Sequence, residues 1–191
     1  MFVNDALRIR RSIYQIDESA PIDDDAIVKI VTDATELVPD AFNMRSQRVI
    51  VALGDENKKL WDAAYDAFGG KVARERIDGF AAGRGTVLYY IDDAVVSALQ
   101  EKYALYADNF PIWAQQANGM LQIAVWAGLA EAGVGANIQH YNPVIDAAVA
   151  ELFDVPQAWR LVAQMPFGGI AAPAGEKDAE DISQRVIVRR S

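Results

Sequence analysis

The stretch Pro111-Ile112-Trp113-Ala114-Gln115-Gln116-Ala117-Asn118-Gly119-Met120-Leu121-Gln122-Ile123-Ala124-Val125-Trp126-Ala127-Gly128-Leu129-Ala130-Glu131-Ala132-Gly133-Val134 decides how the chain folds. Pro111 suits a first helical turn, where its missing N–H is no loss. Ile112, Trp113, Ala117, Met120, Leu121, Ala124, Val125, Gly128 and Leu129 recur at three- and four-residue steps, the period of a helix. Ile123, Trp126, Ala127 and Ala130 make the second half apolar on its other side too. A helix apolar nearly all round is buried on more than one side. Gln115, Gln116, Asn118 and Gln122 make its start too polar for a membrane span. It is therefore a core helix, either that alone or one that also packs against a second subunit. Gly133 and Gly135 fit its C-terminal end. The turn that follows, Ala136-Asn137-Ile138-Gln139-His140-Tyr141-Asn142-Pro143, is a good place to hold a ligand.

Outward from this helix, composition sets limits. The chain has 191 residues, 52% of them hydrophobic, enough for one domain with a sizeable core. A net charge of −9 argues against nucleic acid or an anionic membrane as partner. No cysteine is present, so disulfides, thiol nucleophiles and cysteine metal sites are excluded, and a single histidine removes the usual multi-histidine metal sites. Met1 to Arg11 is charged and lacks an apolar signal core, which makes the cytoplasm the expected location. No phosphate-binding glycine loop or dinucleotide fingerprint occurs.

Upstream, Phe2 to Ile9 predicts a short helix leading into Arg8-Ile9-Arg10-Arg11-Ser12. Three arginines in four positions beside a hydroxyl suit a phosphate, through forked guanidinium hydrogen bonds. The plainer use is pairing with Asp17, Glu18 and Asp23 to Asp25, and on this stretch alone that use is favoured. Asp23 reads as the N-cap of a helix over about Asp24 to Val38. Pro39 to Gln47 is a polar loop in which Asn43, Arg45, Ser46 and Gln47 offer donors to a polar ring edge, or are ordinary loop chemistry. Arg48 to Leu53 reads as a buried strand, Lys58 to Phe68 as a helix, and Lys71 to Ala82 as a weak helix. Gly85 to Ile91 has the β-rich composition of a sheet centre. Asp92 caps a helix from Asp93 to about Tyr106. Tyr103, Tyr106 and Phe110 form an aromatic group whose commoner use is packing.

Downstream, Val134 to Ile138 predicts a short strand, Val144 to Phe153 a helix and Trp159 to Gly169 a strand. His140 lies in the intervening loop, where a lone histidine is more often structural than catalytic. Ala171 to Asp181 is a loose acidic segment. Arg185 to Arg189 predicts a last strand, detached by a linker long enough to reach a neighbouring subunit.

In order, these stretches resemble the FMN-dependent nitroreductase family. Arg10-Arg11-Ser12 matches its Arg-x-Ser opening, Pro39-Asp40-Ala41-Phe42-Asn43 resembles its Pro-Ser-x-x-Asn loop, and Gly85 to Asp92 resembles its Gly-Thr strand. The runs Gln116 to Gln122, Gly133 to Ala136 and Gln139 to Pro143 are similar to the subgroup of the yeast fatty-acid-repression-mutant nitroreductase-like proteins. The ordered set spans about residues 8 to 169. The resemblance implies an α+β fold: a mixed, mostly antiparallel sheet flanked by helices. It implies the long core helix at a homodimer interface, the C-terminal strand extended to the partner, and two FMN molecules in clefts between subunits. Residues 1–191 would be one FMN-binding domain, with 170–191 as a C-terminal arm.

Carried over by position, Arg10, Arg11 and Ser12 would contact the FMN phosphate and ribityl chain. Asn43 would face the flavin. Gln139 and His140 would lie over the ring, where a backbone N–H typically reaches N5. Arg185, and Arg189 as a second candidate, would be basic phosphate contacts. Position 45 is usually glutamine in the family. Arg45 departs from that and would either stabilise reduced flavin at its pyrimidine edge or swing to the phosphate. Arg84 stands where an uncharged or aromatic residue is expected.

The function implied is an NAD(P)H oxidoreductase. It would pass hydride to FMN and then to a nitroaromatic or quinone acceptor in one shared cleft, by ping-pong kinetics. No catalytic acid or base is assigned, since the flavin carries the electron chemistry. The alternative is an FMN-binding carrier or regulatory protein with little turnover.

Overall fold

A computed structural model describes residues 3–190. The elements, in chain order, are α1 Val3–Ile9, β1 Ile16–Asp17, α2 Asp24–Leu37, β2 Gln47–Leu53, α3 Asp55–Phe68, α4 Arg74–Ala81, β3 Gly85–Asp92 and α5 Asp93–Lys102. They continue as α6 Phe110–Glu131, β4 Gly135–Ala136, α7 Asp146–Phe153 and β5 Trp159–Ile170. Short 3-10 turns occupy Ala41–Asn43, Ala104–Asn109 and Ile182–Gln184.

The strands form one antiparallel sheet in the order β1-β5-β3-β2, with β4 also on β5. Every residue of β3 is buried, as befits a central strand covered on both faces. Its side chains alternate between two cores. Val87 and Tyr89 pack with α2 and α6 residues such as Val31, Leu121 and Val125. Leu88 and Tyr90 pack with Leu60, Trp61, Ile77 and Val149 from α3, α4 and α7. Period-two alternation on β3 thus divides the helices between the two faces. This is the α+β architecture expected.

Helix α6 buries Phe110, Ala114, Ala117, Asn118, Leu121, Val125 and Leu129. Gly128 lets it approach α2 closely, since a Cβ there would stand 2.7 Å from Ile30 Cγ2. Ile112 and Met120, counted with the inward stripe from periodicity, instead face outward with Ile123. Gly133 at φ 77 ends the helix, a conformation that suits glycine.

Several boundaries differ from expectation. The weak helix begins only at Arg74, after Gly69 and Gly70 turn the chain at positive φ. The helix after Asp92 stops at Lys102 and passes into the 3-10 turn Ala104–Asn109. The strand expected over Val134 to Ile138 keeps only Gly135–Ala136, and the next helix starts at Asp146. Phe2, the expected first residue of the N-terminal helix, lies outside the described residues.

The expected C-terminal strand does not form within the single chain. Arg185 to Arg190 has no strand structure and is exposed, after the turn Ile182–Gln184. A strand needs a neighbouring edge to accept its backbone hydrogen bonds, and this segment borders none within its own chain.

Candidate functional site

Two groups of the expected site residues come together, on separate parts of the chain. The first is built around β5. Arg10, Arg11 and Ser12 line a pocket of about 510 Å³ with Tyr14, Gln15 and the segment Ala172 to Lys177. Among the described residues the cluster forms no ion pair with Asp17, Glu18 or Asp23 to Asp25, and Arg8 pairs with Asp5 instead. The Arg10 guanidinium stacks on Trp126 of α6, 4.2 Å from the ring centroid. Arg11 donates from Nη2 to the carbonyl of Gly175 at 2.7 Å and so pins the C-terminal segment beside the pocket. Two cations and a hydroxyl facing one cavity form a donor set suited to an anionic oxygen group.

The N-terminal segment is tied to the loop after α6. Ser12 bridges Ala136 in parallel, and Ile13 donates its N–H to the Ala136 carbonyl at 2.9 Å. Asn137, fully buried, donates from Nδ2 to the Ile13 carbonyl at 2.8 Å and accepts at Oδ1 from Gln139 Nε2 at 2.6 Å. Ala136 is level with Phe167 on β5, and Gln139 with Gln164. The phosphate-type donors and the Gln139–His140 loop are thus three strand positions apart, about 10 Å at the usual rise of a strand.

The backbone hydrogen bonds distinguish the two N–H groups of this loop. The Gln139 N–H is taken by the Gln164 carbonyl at 2.7 Å. The His140 N–H has no protein acceptor among the described residues, and His140 itself is exposed.

The second group is the Pro39–Gln47 loop. Asn43 and Arg45 line a pocket of about 500 Å³ with Thr35 to Asp40, Gln47 and Arg48. Phe42, Asn43 and Arg45 sit at φ 55, 53 and 54, a left-handed region that bulky residues avoid. Such strain costs of order 1–3 kcal/mol per residue and persists only where contacts over-determine it.

The contacts are visible. Phe42 touches four rings, Tyr103, Tyr106, Phe110 and Trp113, at centroid distances of 5.0, 5.6, 5.3 and 5.7 Å. Asp40 Oδ2 accepts from Ser46 N, Ser46 Oγ and Gln47 Nε2. Arg48 donates to the Arg45 carbonyl at 2.8 Å and to Asp92 at 2.9 Å. Asn118 of α6 donates to Gln47 Oε1 at 3.1 Å. The aromatic residues before α6 and in its first turn thus pack the loop. Arg45 turns its Nε to Asn43 Oδ1 at 3.1 Å, and within its own chain it does not reach the arginine cluster.

Arg185 is not brought to either pocket. It pairs with Glu180 at 2.6 Å in the exposed segment. Arg189 is likewise exposed and lines neither. A nearby carboxylate captures Arg185 where no sheet edge holds the segment. Arg84, without an account from sequence, forms a two-bond fork with Asp24, 2.7 Å for each bond. Asn137 and Gln164 were not singled out from sequence. For Gln164 the only signal is a lone polar residue within the apolar run Leu161 to Phe167.

Similarity to known proteins agrees with this architecture. The nitroreductase family model matches residues 7–169. HBN1 of Saccharomyces cerevisiae is 34% identical over 177 residues, 90% of this chain and 89% of that one. The nitroreductase FRM2 of the same yeast is 32% identical over 175 residues, 90% of each chain. Nitroreductase CinD from Lactococcus lactis, in complex with chloramphenicol, is 42% identical with a TM-score of 0.94 over 99% of this chain and 100% of that one. CinD structures in complex with nicotinic acid and with 4-nitrophenol give TM-scores of 0.93 and 0.91. Motif order, sheet topology and these likenesses extend over nearly the same residues, and on that ground the chain belongs to the nitroreductase family of oxidoreductases.

Proposed function

We propose that the protein is an FMN-dependent NAD(P)H oxidoreductase that reduces nitroaromatic or quinone acceptors as a homodimer. The observation that carries this reading is the spacing on β5. Arg10, Arg11 and Ser12 open on one cavity, and the Gln139–His140 loop lies three strand positions further on. A cluster of anion donors joined to a loop with an unspent backbone N–H fits a molecule with a phosphate at one end and a polar ring at the other. CinD, 42% identical, occurs in complex with 4-nitrophenol, a nitroarene, and with nicotinic acid, whose ring is that of a nicotinamide.

Arg10, Arg11 and Ser12 would hold the phosphate and ribityl chain, and Gln139 and His140 would lie over the ring. When bound, FMN supplies the two-electron chemistry, taken from NADH or NADPH and given to the acceptor in alternation. The chain contributes position, phosphate grip and exclusion of alternative ring orientations. His140 or bulk water supplies protons.

Asn43 and Arg45 enter this reading from the second subunit. Their pocket shares no lining residue with the arginine pocket. They precede β2, at the edge of the sheet away from β1. A second copy packed on the exposed Ile112, Met120 and Ile123 of α6 would bring the partner's loop to the first pocket. In such a dimer the segment carrying Arg185 and Arg189 has a foreign sheet edge to pair with.

The test is the absorbance of purified protein during anaerobic titration. A yellow protein that NADH or NADPH bleaches, and that a nitroarene or quinone re-oxidises, is the expected result. A colourless protein that ignores added FMN refutes the proposal. Bound FMN without turnover indicates the carrier role instead.

A further inference from the structure

Gln164 is a polar residue with no exposed surface, set between core residues Ala163 and Met165. Its backbone exchanges two hydrogen bonds with Gln139, Gln139 N to Gln164 O at 2.7 Å and Gln164 N to Gln139 O at 2.9 Å. Its side chain then reaches further along the same loop. Oε1 accepts the N–H of Tyr141 at 2.9 Å. One residue therefore grips the loop on both sides of His140.

The geometry explains why a side chain is needed. In an antiparallel ladder the Tyr141 N–H would continue to the residue two before Gln164, which is Val162. Val162 is the residue skipped in the register between β3 and β5, where Tyr89 pairs with Ala163 and Tyr90 with Leu161. Such a bulge disrupts pairing on its strand. The Gln164 carboxamide replaces the lost backbone acceptor. Between the two pinned residues, alternation turns the His140 N–H away from β5, and it meets no protein acceptor among the described residues.

The other end of the carboxamide makes the choice of residue informative. Gln164 Nε2 is buried without a partner. A residue kept for packing alone would be leucine or methionine and would carry no unsatisfied donor.

Resting on the flavin reading above, we propose that Gln164 is a positioning residue that holds the loop at Gln139 and Tyr141 so that the His140 amide is the donor offered to the bound flavin ring.

Amide hydrogen exchange on the wild-type chain, with and without FMN, tests this directly. Without FMN, Gln139 and Tyr141 should exchange slowly and His140 at least tenfold faster. FMN should slow His140 by tenfold or more. Tyr141 exchanging as fast as His140 in the FMN-free chain overturns the clamp. FMN bound with His140 exchange unchanged overturns this inference and leaves the functional reading intact. A chain that takes up no FMN refutes that reading and the His140 role with it.

Two variants add a second readout. Gln164→Leu should retain FMN within about threefold, because the phosphate grip lies elsewhere. Its relative affinity for oxidised and reduced flavin should change by roughly tenfold, about 30 mV in a two-electron potential. Gln164→Glu, held neutral by burial, keeps a carbonyl acceptor for Tyr141 and should restore the wild-type potential. An unchanged potential in Gln164→Leu overturns the proposal. If that variant does not fold, the exchange data on the wild-type chain decide.

Discussion

The guanidinium of Arg10 lies over the ring of Trp126, 4.2 Å from its centroid. This contact joins the N-terminal arginine cluster to the central helix α6. It holds a flexible cation in place before any anion arrives, so less side-chain entropy is lost on binding.

Removing either partner should therefore weaken phosphate binding, by different amounts. Arg10→Ala deletes a charged hydrogen bond, and FMN retention should fall by about 1.5–3 kcal/mol. Trp126→Leu leaves the charge but loosens it, at about 0.5–1 kcal/mol. Fluorescence titration of the FMN-free chain with FMN measures both. Wild-type affinity in Arg10→Ala would mean that the phosphate binds elsewhere.

The Arg84–Asp24 fork predicts a pH-dependent contribution to stability. The Arg84 hydrogen bonds hold the Asp24 carboxyl below its usual value of 3.8, against a smaller opposing effect of burial. A depressed carboxyl contributes stability that is complete above pH 3.8 and is lost as the pH falls through the lowered folded value. Both side chains are 38% exposed, so solvent screening limits the pair to about 0.5–1 kcal/mol. Asp24→Asn should cost that much in urea unfolding at pH 7. The difference from wild type should shrink as the medium is acidified below the folded value. A constant difference across that range would show that charge is not the cause.

A larger loss is expected from the buried network beneath β3. Trp61 Nε1 donates to Thr86 Oγ1 at 2.9 Å, and that hydroxyl donates to Asn57 Oδ1 at 2.7 Å. Asn57 Nδ2 in turn caps the carbonyls of Phe80, Ala81 and Gly83. Thr86→Val keeps the shape and strands two buried polar atoms, at about 2–4 kcal/mol. Denaturant midpoints measure it, and FMN affinity of the folded fraction should not change.

The exposed apolar face of α6 gives the test of assembly. Ile123→Glu places a charge where a second copy would pack. Sedimentation should show a dimer in the wild type and a monomer in the variant, with FMN retention lost alongside. A wild-type monomer that binds FMN tightly would remove the two-subunit site.

Phe42 shows where sequence reading runs out. It lies in a polar loop, and nothing in Phe42-Asn43-Met44-Arg45 announces three left-handed residues within four positions. That backbone exists because four distant rings, the Asp40 carboxylate and Arg48 hold it. The same holds for Arg84, whose partner Asp24 is 60 positions away.

Periodicity and local chemistry were enough for the central helix, the buried strand Gly85–Asp92 and the Asp23 and Asp92 caps. Each depends on residues within a turn or two of chain, so the sequence alone determined them. The tertiary structure decided that Ile112 and Met120 face outward, that Arg185 pairs with Glu180 away from both pockets, and that Gln164 grips the loop around His140. These depend on which distant surfaces meet and on which sheet edge is within reach. Such contacts are set by the packing of the whole chain, and no local pattern of residues encodes them.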